Sequence, residues 1–282
     1  MNILTFDIEE WFHILDNQST KTEHSWLNNE TRIHRNMDTI FALLDKHKVS
    51  ATFFCLGWIA RKFPEVIREI DKRGFEIGTH SDLHQLAYEQ NREEYTEDLK
   101  QSIGDLEDIT GKKVRIYRAP GFSIKKQNQW ALEVLIENGI EVDCSIFPAS
   151  RAHGGFGEFS SSSPCIIDIN GKKMKEFPIN LATWLSKKVI FSGGGYFRFF
   201  PYPLIKRWMK QSEYVMAYFH PRDFDPHQPV IKELSIYRKF KSYYGLHKCE
   251  HKLDQLLTDF AFTDVKTLDE NTDWSKVDVV HL

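Results

Sequence analysis

The chain has 282 residues, a formal net charge of −3, 41% hydrophobic and 27% charged residues. That length fits one large α/β domain or two small ones, with ample apolar material for a core. No uninterrupted apolar run approaches the roughly 20 residues of a membrane span, and the slightly acidic balance gives nucleic acid no general attraction.

The first residues, Met1-Asn2-Ile3-Leu4-Thr5-Phe6-Asp7, place an acid where a secretory leader would carry bases ahead of a longer apolar run, so the expected location is the cytoplasm. Cys55, Cys144, Cys165 and Cys249 are widely spaced with no C-x-x-C pair and read as buried free thiols. Asn2 to Phe6 is a strand that ends in Asp7-Ile8-Glu9-Glu10. Those acids admit two readings: active-site carboxylates at a strand's carboxyl end, or caps and first-turn acids of a following helix.

Ile33, Met37, Ile40, Phe41 and Leu44 recur at helical spacing within Thr31 to Lys48. Ser50 to Leu56 then reads as a buried strand, and Pro64 opens a helix that stops at Gly74. Phe75 to Gly78 is a third strand, delivering His80 and His84 to the same relative place as Asp7 and Glu9. Imidazoles four residues apart supply half of a metal site, although such pairs also arise by chance on exposed helices.

Arg92 to Ile109 is a long helix closed by Gly111, and Val114 to Tyr117 is a strand that exits into Arg118-Ala119-Pro120-Gly121-Phe122. Trp130 to Asn138 is helical, Gly139 breaks it, and Ile140 to Val142 is a strand exiting into Asp143-Cys144-Ser145. This alternation implies a parallel barrel or sheet. The Gly/Ser-rich stretch from Ser150 to Pro164 reads as a lid or a surface excursion.

Lys175 to Ile179 is a sixth strand. Gly193 to Gly195 lack the Gly-Lys-Ser/Thr ending of a phosphate loop and read as a backbone bend or a ligand-site wall. Leu204 to Lys210 is helical, Tyr214 to Phe219 is a strand ending at His220, and Leu246 to Phe260 carries a helical apolar face. A last short strand is expected near Phe262 to Val265, and Ile236 to Lys248 mix aromatics with bases, either to meet an anionic ligand or as a solvated helix edge.

Strand exits thus carry Asp7 with Glu9, His80 with His84, Arg118, and His220. Two imidazoles and a carboxylate can hold a divalent ion with open positions for water and a substrate carbonyl. Asp7 is then a candidate general base, His220 a candidate acid for a leaving amine, and Arg118 a group that orients a carboxylate by charge.

The segments Thr5-Phe6-Asp7-Ile8-Glu9-Glu10, Thr79-His80-Ser81-Asp82-Leu83-His84, Tyr117-Arg118-Ala119-Pro120-Gly121-Phe122, Asp143-Cys144-Ser145-Ile146-Phe147-Pro148 and Tyr218-Phe219-His220-Pro221 together resemble the ordered motifs of the polysaccharide deacetylase family (NodB homology, carbohydrate esterase family 4). The stretch from Gly193 to His247 further resembles a subgroup found with bacterial exopolysaccharide and O-antigen synthesis, so nearly the whole chain is covered.

The resemblance implies an α/β fold, a distorted (β/α) barrel of about seven parallel strands, with residues 1–282 as one domain and a subgroup-specific extension within 186–282. It implies removal of an acetyl group from an N-acetylated sugar, nucleotide-linked or lipid-linked, with one divalent metal ion, zinc first and cobalt or nickel as alternatives. By position, His80 and His84 match the metal histidines, Asp7 the base, Arg118 its partner, His220 the acid, Asp143 an acid that helps hold the catalytic groups, and Pro120, Gly121 and Phe122 a substrate-binding wall. The commonest family pattern has a second aspartate where this chain has Ile8, which hands the third ligand to Glu9, with Glu10 as fallback. Two other readings stand beside this one: an amidohydrolase of cyclic ureides, and a catalytically inactive carbohydrate-binding relative.

Overall fold

The computed structural model of the chain describes residues 1–15, 17–149, 154–185 and 187–282. The strands are β1 (Asn2–Ile8), β2 (Thr52–Cys55), β3 (Glu76–Thr79), β4 (Ile116–Tyr117), β5 (Val142–Asp143), β6 (Cys165–Ile169), β7 (Lys172–Glu176), β8 (Ala182–Trp184), β9 (Lys187–Val189), β10 (Val215–Phe219) and β11 (Val279–His281). Nine form one sheet in the order β10-β1-β2-β3-β4-β5-β7-β6-β11, and β8 and β9 form a separate hairpin. From β10 to β7 every pairing is parallel; β6 returns antiparallel to β7, and β11 joins β6 in parallel.

This is the expected α/β architecture, with seven consecutive parallel strands and a two-strand annex. Closure is irregular, as in a distorted barrel. The gap between β7 and β10 is spanned by the segment after β7, where Ile179 N–H donates to Ile146 O (2.8 Å) and Asn180 Oδ1 accepts from Met216 N–H (3.1 Å). Gly193 completes the seam by bridging to Tyr218. A Cβ at Gly193 would stand 2.3 Å from the Tyr218 ring, so only glycine lets the two backbones meet.

Because side chains alternate across a strand, the two sheet faces sort cleanly. Leu4, Phe6, Ile8, Cys55 and Phe219 face outward into a core shared with helices, including Trp58 of Gly57–Lys62 and Cys249 and Leu253 of Leu246–Asp259. Ile3, Phe54, Ile116, Val142, Cys144, Met216 and Tyr218 face the barrel interior. The interior register continues from these positions to Asp7, Glu9, His80, Arg118 and His220 at the strands' carboxyl ends.

Expected helices appear at Ile33–His47, Pro64–Lys72, Arg92–Thr110, Trp130–Glu137, Tyr202–Gln211 and Leu246–Asp259. The Arg92–Thr110 helix has a full capping box between Asn91 and Glu94, and Gly111 closes it in the left-handed region. Several expectations are corrected. The sixth strand lies at Lys172–Glu176, paired with an unforeseen β6 through a turn in which Asn170 and Gly171 both have positive φ. Thr263 makes only an isolated bridge to Ile3, and Val265 begins a helix, so no strand forms at 262–265. The glycine run starts a short helix, Gly194–Phe199. Residues 150–153 of the Gly/Ser-rich stretch lie outside the described residues.

Candidate active site

Two of the site's carboxylates come from β1 by alternation: Asp7 and Glu9 share the interior face, while Ile8 between them is fully buried on the other. The histidine pair comes from the turn after β3, which is a loop and not the helix that spacing of four evokes. Ser81 (φ 73°) and His84 (φ 54°) both occupy the left-handed region, a sparsely used conformation that surrounding contacts must hold. Asp98 supplies them: its carboxylate accepts from Asp82 N–H (2.9 Å) and Leu83 N–H (3.0 Å), while Ser81 Oγ accepts from His84 N–H (3.0 Å).

Glu9 Oε2 lies 2.7 Å from His84 Nε2, and one ligand atom from each of Glu9, His80 and His84 falls within 4.8 Å of the others. His80 Nδ1 donates to Arg118 O (2.7 Å); a carbonyl only accepts, so the proton is on Nδ1 and the Nε2 lone pair is available. Burial, opposed chiefly by Asp7, lowers the His80 pKa to about 4, which keeps that imidazole neutral. Burial disfavours the charged form of Glu9, yet His84, His220 and His80 hold its carboxyl well below the usual range. Glu9 Oε2 is buried, and its close approach to His84 Nε2 lacks hydrogen-bond geometry. A buried carboxylate oxygen facing two buried imidazoles is the donor set of a divalent-cation site, so the residues present fit such an ion.

Glu10, the fallback ligand, is engaged away from the trio. Its Oε1 accepts from the backbone N–H groups of Arg32 (2.7 Å) and Ile33 (2.9 Å), so it caps the Ile33–His47 helix from a distance in sequence. Burial, against those hydrogen bonds, pushes its pKa up to about 7.

Beside the trio, Asp7 Oδ1 accepts from Arg118 Nη1 (2.7 Å) and Asp7 Oδ2 lies 3.8 Å from His220 Nε2. Arg118 is fully buried; it also donates to Thr5 Oγ1 (2.7 Å) and Cys144 O (3.3 Å) and stacks over Phe54 at 4.2 Å. His220 Nδ1 meets Asp223 Oδ2 (3.1 Å), and Asp223 Oδ1 pairs with Arg198 Nε (3.1 Å). Burial opposes a charge on His220, but Glu9, Asp223 and Asp7 raise its pKa to about 9. Burial likewise opposes the Asp223 carboxylate, which Arg198 and then His220 bring down to about 2. Asp223 and Arg198 escaped the sequence reading, although His220-Pro221-Arg222-Asp223 has the i, i+3 spacing of a cap and reaches back to His220 N–H (3.0 Å).

Asp143 is not in this pocket. Its register on β5 faces the helix layer, opposite Tyr117 on one side and Glu176 on the other. It accepts a hydrogen bond from Ser145 Oγ, which in turn accepts from Ala119 N–H (2.7 Å), so it reaches the Arg118 loop only through that backbone. Pro120 and Phe122 are buried; Phe122 packs on Tyr218 (5.0 Å) and under Arg118 (5.6 Å), and Gly121 turns the chain between them at φ 61°.

Residues 17–142 match the family described as polysaccharide deacetylase, and residues 144–270 match a domain of unknown function, DUF3473. A peptidoglycan-N-acetylglucosamine deacetylase of Bacillus cereus is 29% identical over 99 residues, 35% of this chain and 36% of that protein. The peptidoglycan-N-acetylmuramic acid deacetylase PdaA of Bacillus subtilis is 28% identical over 81 residues, 29% of this chain and 31% of that protein. These matches thus span about a third of each relative's length.

Among solved structures, a protein described as a polysaccharide deacetylase of Mycobacterium smegmatis superposes with a TM-score of 0.67 at 18% identity, covering 98% of this chain and 91% of its own. A pseudoenzyme of carbohydrate esterase family 4 from Bacillus anthracis does so at 0.53 and 13%, covering 100% and 68%. At such identities these are likenesses of fold. With the fold, the matched segment and the ordered motifs in agreement, the chain carries a polysaccharide deacetylase domain of the carbohydrate esterase family 4 type.

Proposed function

We propose that the protein is a metal-dependent hydrolase that removes the acetyl group from an N-acetylated sugar in a surface-polysaccharide precursor, nucleotide-linked or lipid-linked. The observation that carries this reading is the placement of the Glu9, His80 and His84 ligand atoms beside a buried Asp7–Arg118 pair and a histidine held by Asp223. Glu9, His80 and His84 would hold one divalent ion, zinc first, which when bound supplies Lewis-acid polarisation of the acetyl carbonyl and an acidified water.

The chain's own groups divide the proton work. Arg118 fixes one oxygen of Asp7, leaving Oδ2 directed toward His220 to take a proton from the attacking water. His220, charged at neutral pH and oriented through Nδ1 by Asp223, gives its Nε2 proton to the departing amine as the C–N bond breaks. Acetate and a free amino sugar result.

The curated relatives, named as peptidoglycan deacetylases, support an N-acetylated sugar as substrate. The surface-polysaccharide assignment rests on the resemblance of Gly193 to His247. No helix among the described residues is long and apolar enough to cross a membrane.

The test is acetate release from a panel of UDP-linked and lipid-linked N-acetyl sugars, with chelated and zinc-reloaded protein. Asp7→Asn is expected to lower turnover about 100- to 10,000-fold while metal content stays at the parent level. Full activity in that variant removes Asp7 as base. Ring opening of a ureide without acetate release would instead favour the amidohydrolase.

A further inference from the structure

The helix Ile236–Tyr243 is set inside out. Ile236 (89% exposed), Tyr237 (65%), Phe240 and the following Tyr244 point to solvent, and no residue of the helix is buried. Its inward side is mainly polar: Arg238 donates to Leu15 O (2.6 Å), Lys239 to Lys232 O (2.8 Å), and Tyr243, whose ring packs against the core, accepts at Oη from Ile231 N–H (2.9 Å). A surface helix ordinarily turns its apolar stripe to the core. Here polar bonds hold the helix in place and the apolar stripe is left outward.

The stripe extends beyond the helix. Phe240 contacts Tyr244 (4.8 Å), Tyr244 contacts Phe199 (5.9 Å), Phe199 contacts Phe200 (5.3 Å), and Phe200 contacts Trp184 (5.9 Å). Trp184 leads into Leu185, 79% exposed at the turn of the β8–β9 hairpin. The ring contacts pass beneath the surface at Phe200, which is buried, and re-emerge at Trp184; exposed apolar groups gathered in this way mark an interaction site.

Charge identifies the partner. Residues 184–248 contain twelve Lys or Arg and four Asp or Glu, in a chain whose formal net charge is −3. Lys188, Lys232, Lys241 and Lys248 are exposed, and Lys241 Nζ lies over the Tyr237 ring at 4.4 Å. Protein–protein interface cores are depleted in lysine, whereas aromatic rings interleaved with lysines match the headgroup layer of an anionic bilayer.

The surface is also joined to the pocket. Arg198 donates to the last carbonyls of the helix region, Ser242 O (3.1 Å) and Tyr244 O (2.8 Å), and its Nε pairs with the Asp223 that holds His220. We propose that this surface docks the protein peripherally on a bilayer rich in anionic phospholipid, with the aromatic residues at headgroup level, the lysines on lipid phosphates and the His220 rim of the pocket beside the membrane.

The test is co-sedimentation of the full chain with vesicles of phosphatidylcholine alone or mixed with phosphatidylglycerol. Binding is expected with the mixed vesicles only, weakening as salt is raised. Lys241→Glu is expected to weaken it about fivefold, and Ile236→Asp combined with Phe240→Asp at least about tenfold. Circular dichroism and thermal midpoint should stay unchanged because these side chains face solvent. Equal sedimentation of parent and double variant overturns the proposal, as does absence of binding to the mixed vesicles. A parent dimer that the double variant converts to monomers, with no vesicle binding, would assign the surface to a second copy of the chain.

Discussion

Replacing Ile8 by aspartate restores the letter of the commonest family pattern, and it is expected to fail as a ligand. Ile8 is fully buried in the helix-facing core with Leu4, Phe6 and Cys55, on the opposite side of β1 from Asp7 and Glu9. Loss of the isoleucine side chain there costs about 2–4 kcal/mol, and an unpaired carboxyl in its place adds about 1–3 kcal/mol. The sum, about 3–7 kcal/mol, is a large share of the 5–15 kcal/mol typical of a domain. Urea unfolding should therefore show a much lower midpoint for Ile8→Asp. Metal content, measured by mass spectrometry of the purified protein, should stay at that of the parent. The decisive measurement is the double variant Ile8→Asp with Glu9→Ala. If it binds zinc as tightly as the parent, the strand can shift register by one residue and the assignment of Glu9 by alternation is wrong.

Glu10→Ala should leave metal content unchanged while lowering stability by about 2 kcal/mol through loss of the cap on Ile33–His47, read from urea unfolding; a fall in bound zinc would return Glu10 to the ligand set. Asp223→Asn removes a group that raises the His220 pKa, now about 9; because activity requires the protonated form, the falling alkaline limb of kcat/KM should move to lower pH, and an unmoved limb removes His220 as the acid. Burial, and then the neighbouring Asp143, raise Glu176 well above its ordinary value, and burial raises Asp143 against the hydrogen bonds of Glu176 and Ser145. The folded protein therefore binds more protons than the unfolded chain, and stability declines as pH rises above the ordinary carboxyl range. Glu176→Gln should accordingly raise the thermal midpoint more at pH 8 than at pH 5, each unit of elevation counting for about 1.4 kcal/mol, and an equal shift at both pH values would contradict a shared buried proton.

Much of this was legible where periodicity is long. The Ile33–His47 and Arg92–Thr110 helices announce themselves by spacing and caps, and β1 and β10 by unbroken β-prone runs. Two-residue strands are too short to show alternation, so nothing local revealed that Asp143 faces the helices; its orientation follows only from pairing with Tyr117 and Glu176. The acid cluster after β1 satisfied both of its readings at once, Asp7 and Glu9 in the pocket and Glu10 as a cap, because alternation sends neighbours apart. Glu10 caps a helix 23 residues on, a tertiary contact that no local pattern encodes. The β6–β7 hairpin did carry a local sign in Asn170-Gly171, whose positive φ values suit a tight two-residue turn.

The two matched segments divide the chain but not the site. His80, His84 and Arg118 lie within residues 17–142, His220, Asp223 and Arg198 within 144–270, and Asp7 and Glu9 precede both. Arg118 joins all three, donating to Asp7, to Cys144 O and to Met216 Sδ (2.8 Å). The fold requires the same union, since β1 pairs with β2 on one side and with β10 on the other. Without the second segment β1 would be an exposed edge strand, Asp7 would face no histidine from β10, and the Phe219 side of the outer core would be lost. The segment of unknown function therefore completes the barrel wall that holds the proposed base, and it brings the proposed acid together with the buried guanidinium of Arg198 that links that acid to the aromatic, lysine-rich surface.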